Sequence, residues 1–276
     1  MTNSMNKWLL RARNHLRQEQ NGRPNSRIFY MHIPKCGGTS VANAIRNCYL
    51  TLNPEQDRVT FHLDPYAAHE GAVLGRQDPL GYYRHLLRYC LGCREYQYVY
   101  GHFSFDEVAY EAYHNEFRFV TLLRDPVKKW LSLYFFNRHK DGEFFKVEED
   151  LETFLATPMA VGYGCDYIMQ FAGNYACEPV PHEGYCYEQY TTQAAIDHAV
   201  GNLAKFDLVG VLEQLDRFAD RFQQQYGAKL SITHKNRNPL AQQRQNEQIS
   251  EEMLAKIREL CRPNLALYHY AIDHLC

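Results

Sequence analysis

Lys35, Gly37, Gly38, Thr39 and Ser40 stand together where an apolar, aromatic-rich run (Ile28, Phe29, Tyr30, Met31, Ile33) stops at Pro34. Two glycines let a backbone turn tightly and bring its N–H groups close to a ligand, and a helix starting just after them adds partial positive charge and unpaired donors. With the Lys35 ammonium beside them, the natural occupant is a phosphate or a sulfate. Further along, His102 follows Gly101 just past the run Tyr96 to Tyr100. A histidine there projects from the carboxyl edge of a parallel sheet, where open α/β proteins bind ligands. Arg124 directly follows the apolar run Phe117 to Leu123, and Ser132 lies two turns into the helix expected after it. Each group also has a plainer reading: a strand-to-helix turn with a surface lysine, a satisfied core histidine, and a helix-start salt bridge from Arg124 to Asp125 or another acid.

The elements needed to hold these groups are legible as alternating strands and helices. Residues 28–33 read as a strand, and Val41, Ile45, Cys48 and Tyr49 fall on one face of a helix capped by Thr39 or Ser40 and ending near Leu50. Short strands are expected at Tyr96 to Tyr100 and Phe206 to Val211, and a central one at Phe117 to Leu123. Asp125 is a good N-cap and Pro126 a good first residue for a helix that buries Val127, Trp130, Leu131 and Tyr134. A helix with Leu215, Phe218, Ala219 and Phe222 on one face follows the Phe206 strand, and a final helix begins at Ser250, with Met253, Leu254, Ile257 and Leu260 inward. Residues 51–97, interrupted by prolines and glycines, read as less regular, with His62 and His69 as second-choice site residues. The fold expected is a P-loop-like α/β three-layer domain: a central, mostly parallel sheet flanked by helices. It forms one domain over 27–276, preceded by a basic arm or helix at 1–26, with 138–200 as a lid or acceptor-binding insertion. The Tyr-, Gly- and Cys-rich stretch from Tyr163 to Tyr190 suits an irregular aromatic surface for sugar rings or a merely ordered loop.

The order P-K-x-G-G-T-S is not that of the common nucleotide loop, in which the lysine follows the glycines. It resembles the 5′-phosphosulfate loop of carbohydrate sulfotransferases (sulfotransferase family 2) that use 3′-phosphoadenosine 5′-phosphosulfate (PAPS), above all the heparan and uronyl 2-O-sulfotransferases. YGHFSF at 100–105 resembles the stretch of that branch in which a histidine of a G-H pair is the general base. R-D-P-V-x-x-x-x-S-x-Y-x-F, from Arg124, resembles the family's 3′-phosphate motif, and F-D-x-V-G at 206–210 and the terminal NLALYHYA are similar to its later segments. The resemblance implies that Lys35, Cys36, Gly37, Gly38, Thr39 and Ser40 hold the 5′-phosphate and sulfate, and that Arg124 and Ser132 grip the 3′-phosphate. It further implies that His102 takes the acceptor proton, that Lys35 steadies the leaving oxygen of PAP, and that no metal is required. Cys36 departs from the commoner threonine, which is expected to alter affinity or redox sensitivity rather than abolish binding. Lys235 and Arg237 lie in a basic loop of the kind that closes over the nucleotide, or in a solvated turn. Two alternatives stand beside this reading: a P-loop-type kinase, which should need magnesium and an acidic ligand, and a catalytically silent PAP-binding or scaffolding protein.

A net charge of −2 over 276 residues, with an isoelectric point near 6.7, argues against nucleic acid or a densely anionic polymer as partner. A sugar, glycolipid or small hydroxylated metabolite fits better as acceptor. No apolar run approaches the ~20 residues of a membrane span, and the N-terminus lacks a signal-peptide core, so a cytoplasmic location is expected. The family's Golgi members carry an N-terminal anchor, so its absence points to a bacterial-type relative or a trimmed chain. Lys7, Arg11, Arg13 and Arg17 around Trp8, Leu9 and Leu10 suit a weak membrane-surface contact or a loosely attached helix. Nine scattered cysteines outline no disulfide framework. The one C-x-x-C, Cys90 and Cys93, lacks the second pair a zinc site would need, and a cluster of Cys165, Cys177, Cys186 and His182 is no better as a metal site.

Overall fold

In the computed structural model, residues 22–50, 59–142, 145–173, 187–232 and 249–276 are described. Five strands, β1 (Arg27–Met31), β2 (Thr60–His62), β3 (Tyr98–Gly101), β4 (Phe117–Leu123) and β5 (Leu208–Val211), form one sheet in the order β2-β3-β1-β4-β5. All its pairings are parallel. β1 is central, with Met31 level with Gly101 of β3 on one side and Thr121 of β4 on the other. The chain runs from β1 out to β2 and β3, then crosses to β4. The strand order therefore reverses at β1, and the carboxyl end of a strand at such a reversal is where open α/β sheets bind ligands.

A parallel sheet buried on both faces reads as near-continuous apolar strands, and helices cover both faces here. On one side α1 (Gly38–Asn47) and α9 (Leu215–Tyr226) pack Val41, Ile45, Phe218 and Phe222 against Ile28, Tyr30, Tyr98 and Val120. On the other lie α3 (Pro79–Gly92), α4 (Glu107–Tyr113), α7 (Pro158–Phe171), α8 (Gln193–Leu203) and α11 (Arg262–His274). Their Leu87, Ala109, Ile168, Ala199 and Leu267 share a core with Phe29, Phe119 and Val209. A third cluster around Trp130, Phe154, Tyr163 and Ile257 joins α5 (Pro126–His139), α6 (Leu151–Phe154), α7 and α10 (Glu251–Leu260). This is the α/β three-layer domain expected.

Local differences have local causes. α1 starts at Gly38 behind a Gly37 cap with no side-chain bond, so Thr39 and Ser40 sit inside its first turn rather than capping it. It ends at Asn47, with Cys48 and Tyr49 buried just beyond. Residues 51–97 are more ordered than expected where they are described: they hold β2, α2 (Pro65–Leu74) and α3. Asp64 accepts hydrogen bonds from the Tyr66 and Ala67 amides and Asp78 from Gly81, each just before a proline that opens the helix. Tyr163 to Phe171 are not irregular but form the buried second half of α7. The C-terminal segment is two helices, α10 capped by Ser250 and α11, broken at Cys261 before Pro263. Residues 1–21 of the arm expected at 1–26, the stretch 174–186 with Cys177, His182 and Cys186, and the loop with Lys235 and Arg237 lie outside the described residues.

Candidate functional site

The loop after β1 is shaped by positive φ angles at Lys35 (64°) and Gly37 (72°), the alternation by which a chain bends into a concave, anion-binding row of amides. A Cβ on Gly37 would lie 2.7 Å from Leu212 Cδ1, a contact the leucine side chain would have to shift to relieve, so it is chiefly the positive φ that favours glycine there. Gly38 has ordinary dihedrals but less room, since a Cβ there would meet the His32 ring at 2.1 Å. The start of α1 thus rests directly on His32. Gly38→Ala should push that ring aside and destabilise the protein by about 1–3 kcal/mol in urea unfolding. A loss under about 0.5 kcal/mol would mean that the packing yields freely.

Of the two residues with positive φ Lys35 is the one that is not glycine, and a left-handed conformation costs it on the order of 1 kcal/mol. Its carbonyl accepts a hydrogen bond from Arg124 Nη1 at 3.1 Å, which ties the loop to the end of β4. Its ammonium lies 3.9 Å from the centroid of the half-exposed Phe136 ring on α5. Ser132, half-buried, precedes Phe136 by four residues and shares its helix face, so Lys35 reaches the face of α5 that carries Ser132. Burial, and then the positive charge of Arg124, make the Lys35 ammonium easier to deprotonate than an ordinary lysine. Among the described residues neither Lys35 nor Arg124 is salt-bridged to a carboxylate. Two like charges beside a helix N-terminus, uncompensated in this way, fit an anion of high charge.

Cys36 turns away from the loop's open side. It is fully buried, its Sγ lies 3.3 Å from the Tyr167 hydroxyl, and burial pushes its thiol up to about 11. A thiol so enclosed and protonated is unreactive, which corrects the expected redox sensitivity.

His102 comes to the same edge from β3. Its Nδ1 lies 2.7 Å from the His32 carbonyl oxygen, so Nδ1–H donates and the free lone pair falls on Nε2. The two rings are 4.5 Å apart, extending a ladder on the α1 side of the sheet in which Tyr30 stacks near His32, and Tyr98 on Tyr100. His62 on the outer strand stacks on Tyr100 at 4.6 Å, and His69 lies on α2. Burial lowers the affinity of His102 for a second proton, an effect opposed by its bond to His32 and reinforced by nearby His62. His32, more deeply enclosed, is lowered to about 3 by burial and then by His102 and His62, so it stays neutral.

The loop, His102 and the Arg124–Ser132 segment therefore share the carboxyl edge around β1. Sequence reasoning missed His32, Phe136 and Tyr167. His32 was findable, because Ile28, Tyr30 and His32 continue one strand alternation. A cavity of about 430 Å³ lies at the opposite, amino-terminal edge, lined by Arg23, Arg27, Gln97, Glu116 and Arg118. There Arg27 is already engaged by Glu116 and the Cys93 and Tyr96 carbonyls. Cys90 and Cys93 are free thiols, and among the described residues no group of histidines, cysteines and acids is arranged to hold a metal. No protein-family model matches this chain, and no curated protein matches its sequence.

Proposed function

We propose that this chain is a PAPS-dependent sulfotransferase of the carbohydrate type, moving a sulfuryl group to a hydroxyl of a sugar, glycolipid or other hydroxylated acceptor and releasing PAP. The observation that carries this is the pair of cations Lys35 and Arg124, salt-bridged to no carboxylate among the described residues and joined through the Lys35 carbonyl at a helix N-terminus, with a tautomer-fixed histidine on the same sheet edge. PAPS supplies the complementary groups: a phosphosulfate at one end, a 3′-phosphate at the other, and an activated sulfuryl group between donor and acceptor.

In this reading the loop amides at Gly37 to Ser40 and the α1 dipole bind the 5′-phosphosulfate. Arg124 offers two parallel, charge-assisted hydrogen bonds to the 3′-phosphate and Ser132 one neutral donor. His102 Nε2 takes the proton from the acceptor hydroxyl as its oxygen bonds to sulfur. The bond from sulfur to the bridging oxygen breaks in line, and Lys35 stabilises the negative charge left on PAP. Sulfate carries less charge than phosphate, so a lysine and oriented amides suffice for that stabilisation, by the positioning logic of phosphoryl transfer.

A cytoplasmic location is part of this reading; the seven described cysteines are free, which suits a reducing compartment. Among the described residues no helix is long and apolar enough to cross a membrane. The direct assay is transfer of radiolabel from PAP[³⁵S] to a panel of neutral and uronic-acid sugars, glycolipids and phenols. Transfer to at least one supports the reading. Tight PAP binding without transfer to any would favour a silent PAP-binding protein, and preference for ATP over PAP would favour a kinase.

A further inference from the structure

Tyr167 sits on α7, far in sequence from both halves of the anion site, yet its hydroxyl joins them. It donates to the Arg124 carbonyl at 2.7 Å and accepts from the Arg124 amide at 2.9 Å. Its second lone pair faces Cys36 Sγ at 3.3 Å, so the protonated thiol completes the one donor and two acceptor positions of a phenol. Tyr167 and Cys36 are both fully buried. The ring is itself held: the Tyr167 amide donates to Asn264 Oδ1 at 2.9 Å, and Asn264 Nδ2 donates to Asp166 Oδ1 at 2.8 Å. Asp166 pairs with the buried Lys129, whose ammonium lies 4.9 Å from the Tyr167 ring centroid. A phenol packed and bonded in this way has one position, and the loop and the β4 end must take theirs from it.

We propose that Tyr167 is a positioning residue that couples the lysine–glycine loop to Arg124, so that the two ends of the donor are read by one unit rather than by two independent half-sites. The consequence for donor selection rests on the PAPS reading above; the mechanical tie does not.

Tyr167→Phe keeps the ring and removes only the hydroxyl. In the ligand-free protein it should accelerate amide hydrogen exchange about tenfold at Arg124 and across residues 42–44, whose helical amides bond back to the carbonyls of Gly38 to Ser40, leaving β1 unchanged. Cys36→Ala cuts the same tie from the loop side, so adding it to Tyr167→Phe should change exchange in 42–44 no further. Acceleration in only one segment, in neither, or additively in the double variant would overturn the proposal. Should Tyr167→Phe fail to fold, Cys36→Ala alone must accelerate exchange at Arg124, and an unchanged Arg124 would overturn it. In calorimetry Tyr167→Phe should weaken PAP about tenfold and adenosine 5′-phosphate less, because a displaced Arg124 loses the 3′-phosphate; equal weakening would mark a merely structural role. If the wild-type protein binds neither nucleotide, the donor reading falls while the exchange result still decides the tie.

Discussion

Replacing His102 with alanine should slow sulfuryl transfer by about 10²–10⁴-fold, the usual worth of a positioned general base, while PAP affinity changes by less than about twofold. The separation follows from where the ring stands. The hydrogen bond and the ring contact of His102 are to the His32 carbonyl and ring, not to a residue assigned to the nucleotide. With Nδ1–H committed to that carbonyl, the lone pair on Nε2 is the ring's basic site. The pH profile has a definite sign. In the proposed mechanism the neutral imidazole is the active form, and burial moves its proton affinity below the ordinary 6.5. Acidification therefore removes activity only once the pH falls below that value, and the acid limb of kcat/KM should have its midpoint under 6.5. Unchanged turnover in His102→Ala would take His102 out of the mechanism, and a midpoint at or above 6.5 would contradict the lowered proton affinity of the buried ring.

Arg124→Ala should weaken PAP by about a hundredfold, the loss of a bidentate, charge-assisted pair worth roughly 3 kcal/mol. Adenosine 5′-phosphate should lose no more than about tenfold. That smaller loss has its own cause, because Arg124 Nη1 also bonds the carbonyl of the strained Lys35, and the loop relaxes when the bond goes. Arg124→Lys should fall between, keeping the charge but not the planar fork. Calorimetry with both nucleotides decides it: equal weakening of the two would mean that Arg124 supports the loop and does not see a 3′-phosphate.

How far the sequence could be read depended on whether the controlling interactions were local. Asp125 and Pro126 announced α5 because a cap and a first-turn proline act within four residues, and Asp125 does accept the Lys128 amide. The same pair occurs at Asp64–Pro65 and Asp78–Pro79, where the surrounding glycines and prolines hid it, and two helices were read as irregular chain. The parallel sheet was legible from strands apolar enough to be buried on both faces. β2 was not, since of its three residues at the sheet edge Thr60 and Phe61 are only partly buried and His62 is exposed.

Within the site, the residues whose backbone or charge does the work lay in recognisable order. Those that hold them did not. Tyr167 sits in a helix whose tyrosines, glycines and cysteine looked like loop composition, and Gly164 is there because a Cβ would lie 2.1 Å from the Leu260 carbonyl oxygen. Nothing within ten residues of Tyr167 points to Cys36 or Arg124; the contact exists only after α7 has packed on the sheet. Cap placement failed similarly at Thr39, because Gly37 already turns the chain into α1 and leaves the hydroxyl inside the first turn.

The most direct measurement is a crystal structure of the protein soaked with PAP. The 5′-phosphate should lie against the amides of Gly37 to Ser40, the 3′-phosphate within hydrogen-bond distance of Arg124 and Ser132, and His102 Nε2 should face the open side of the 5′ end. PAP bound at another surface, or bound with its 3′-phosphate pointing away from Arg124, would contradict the assignment of these segments to one donor site.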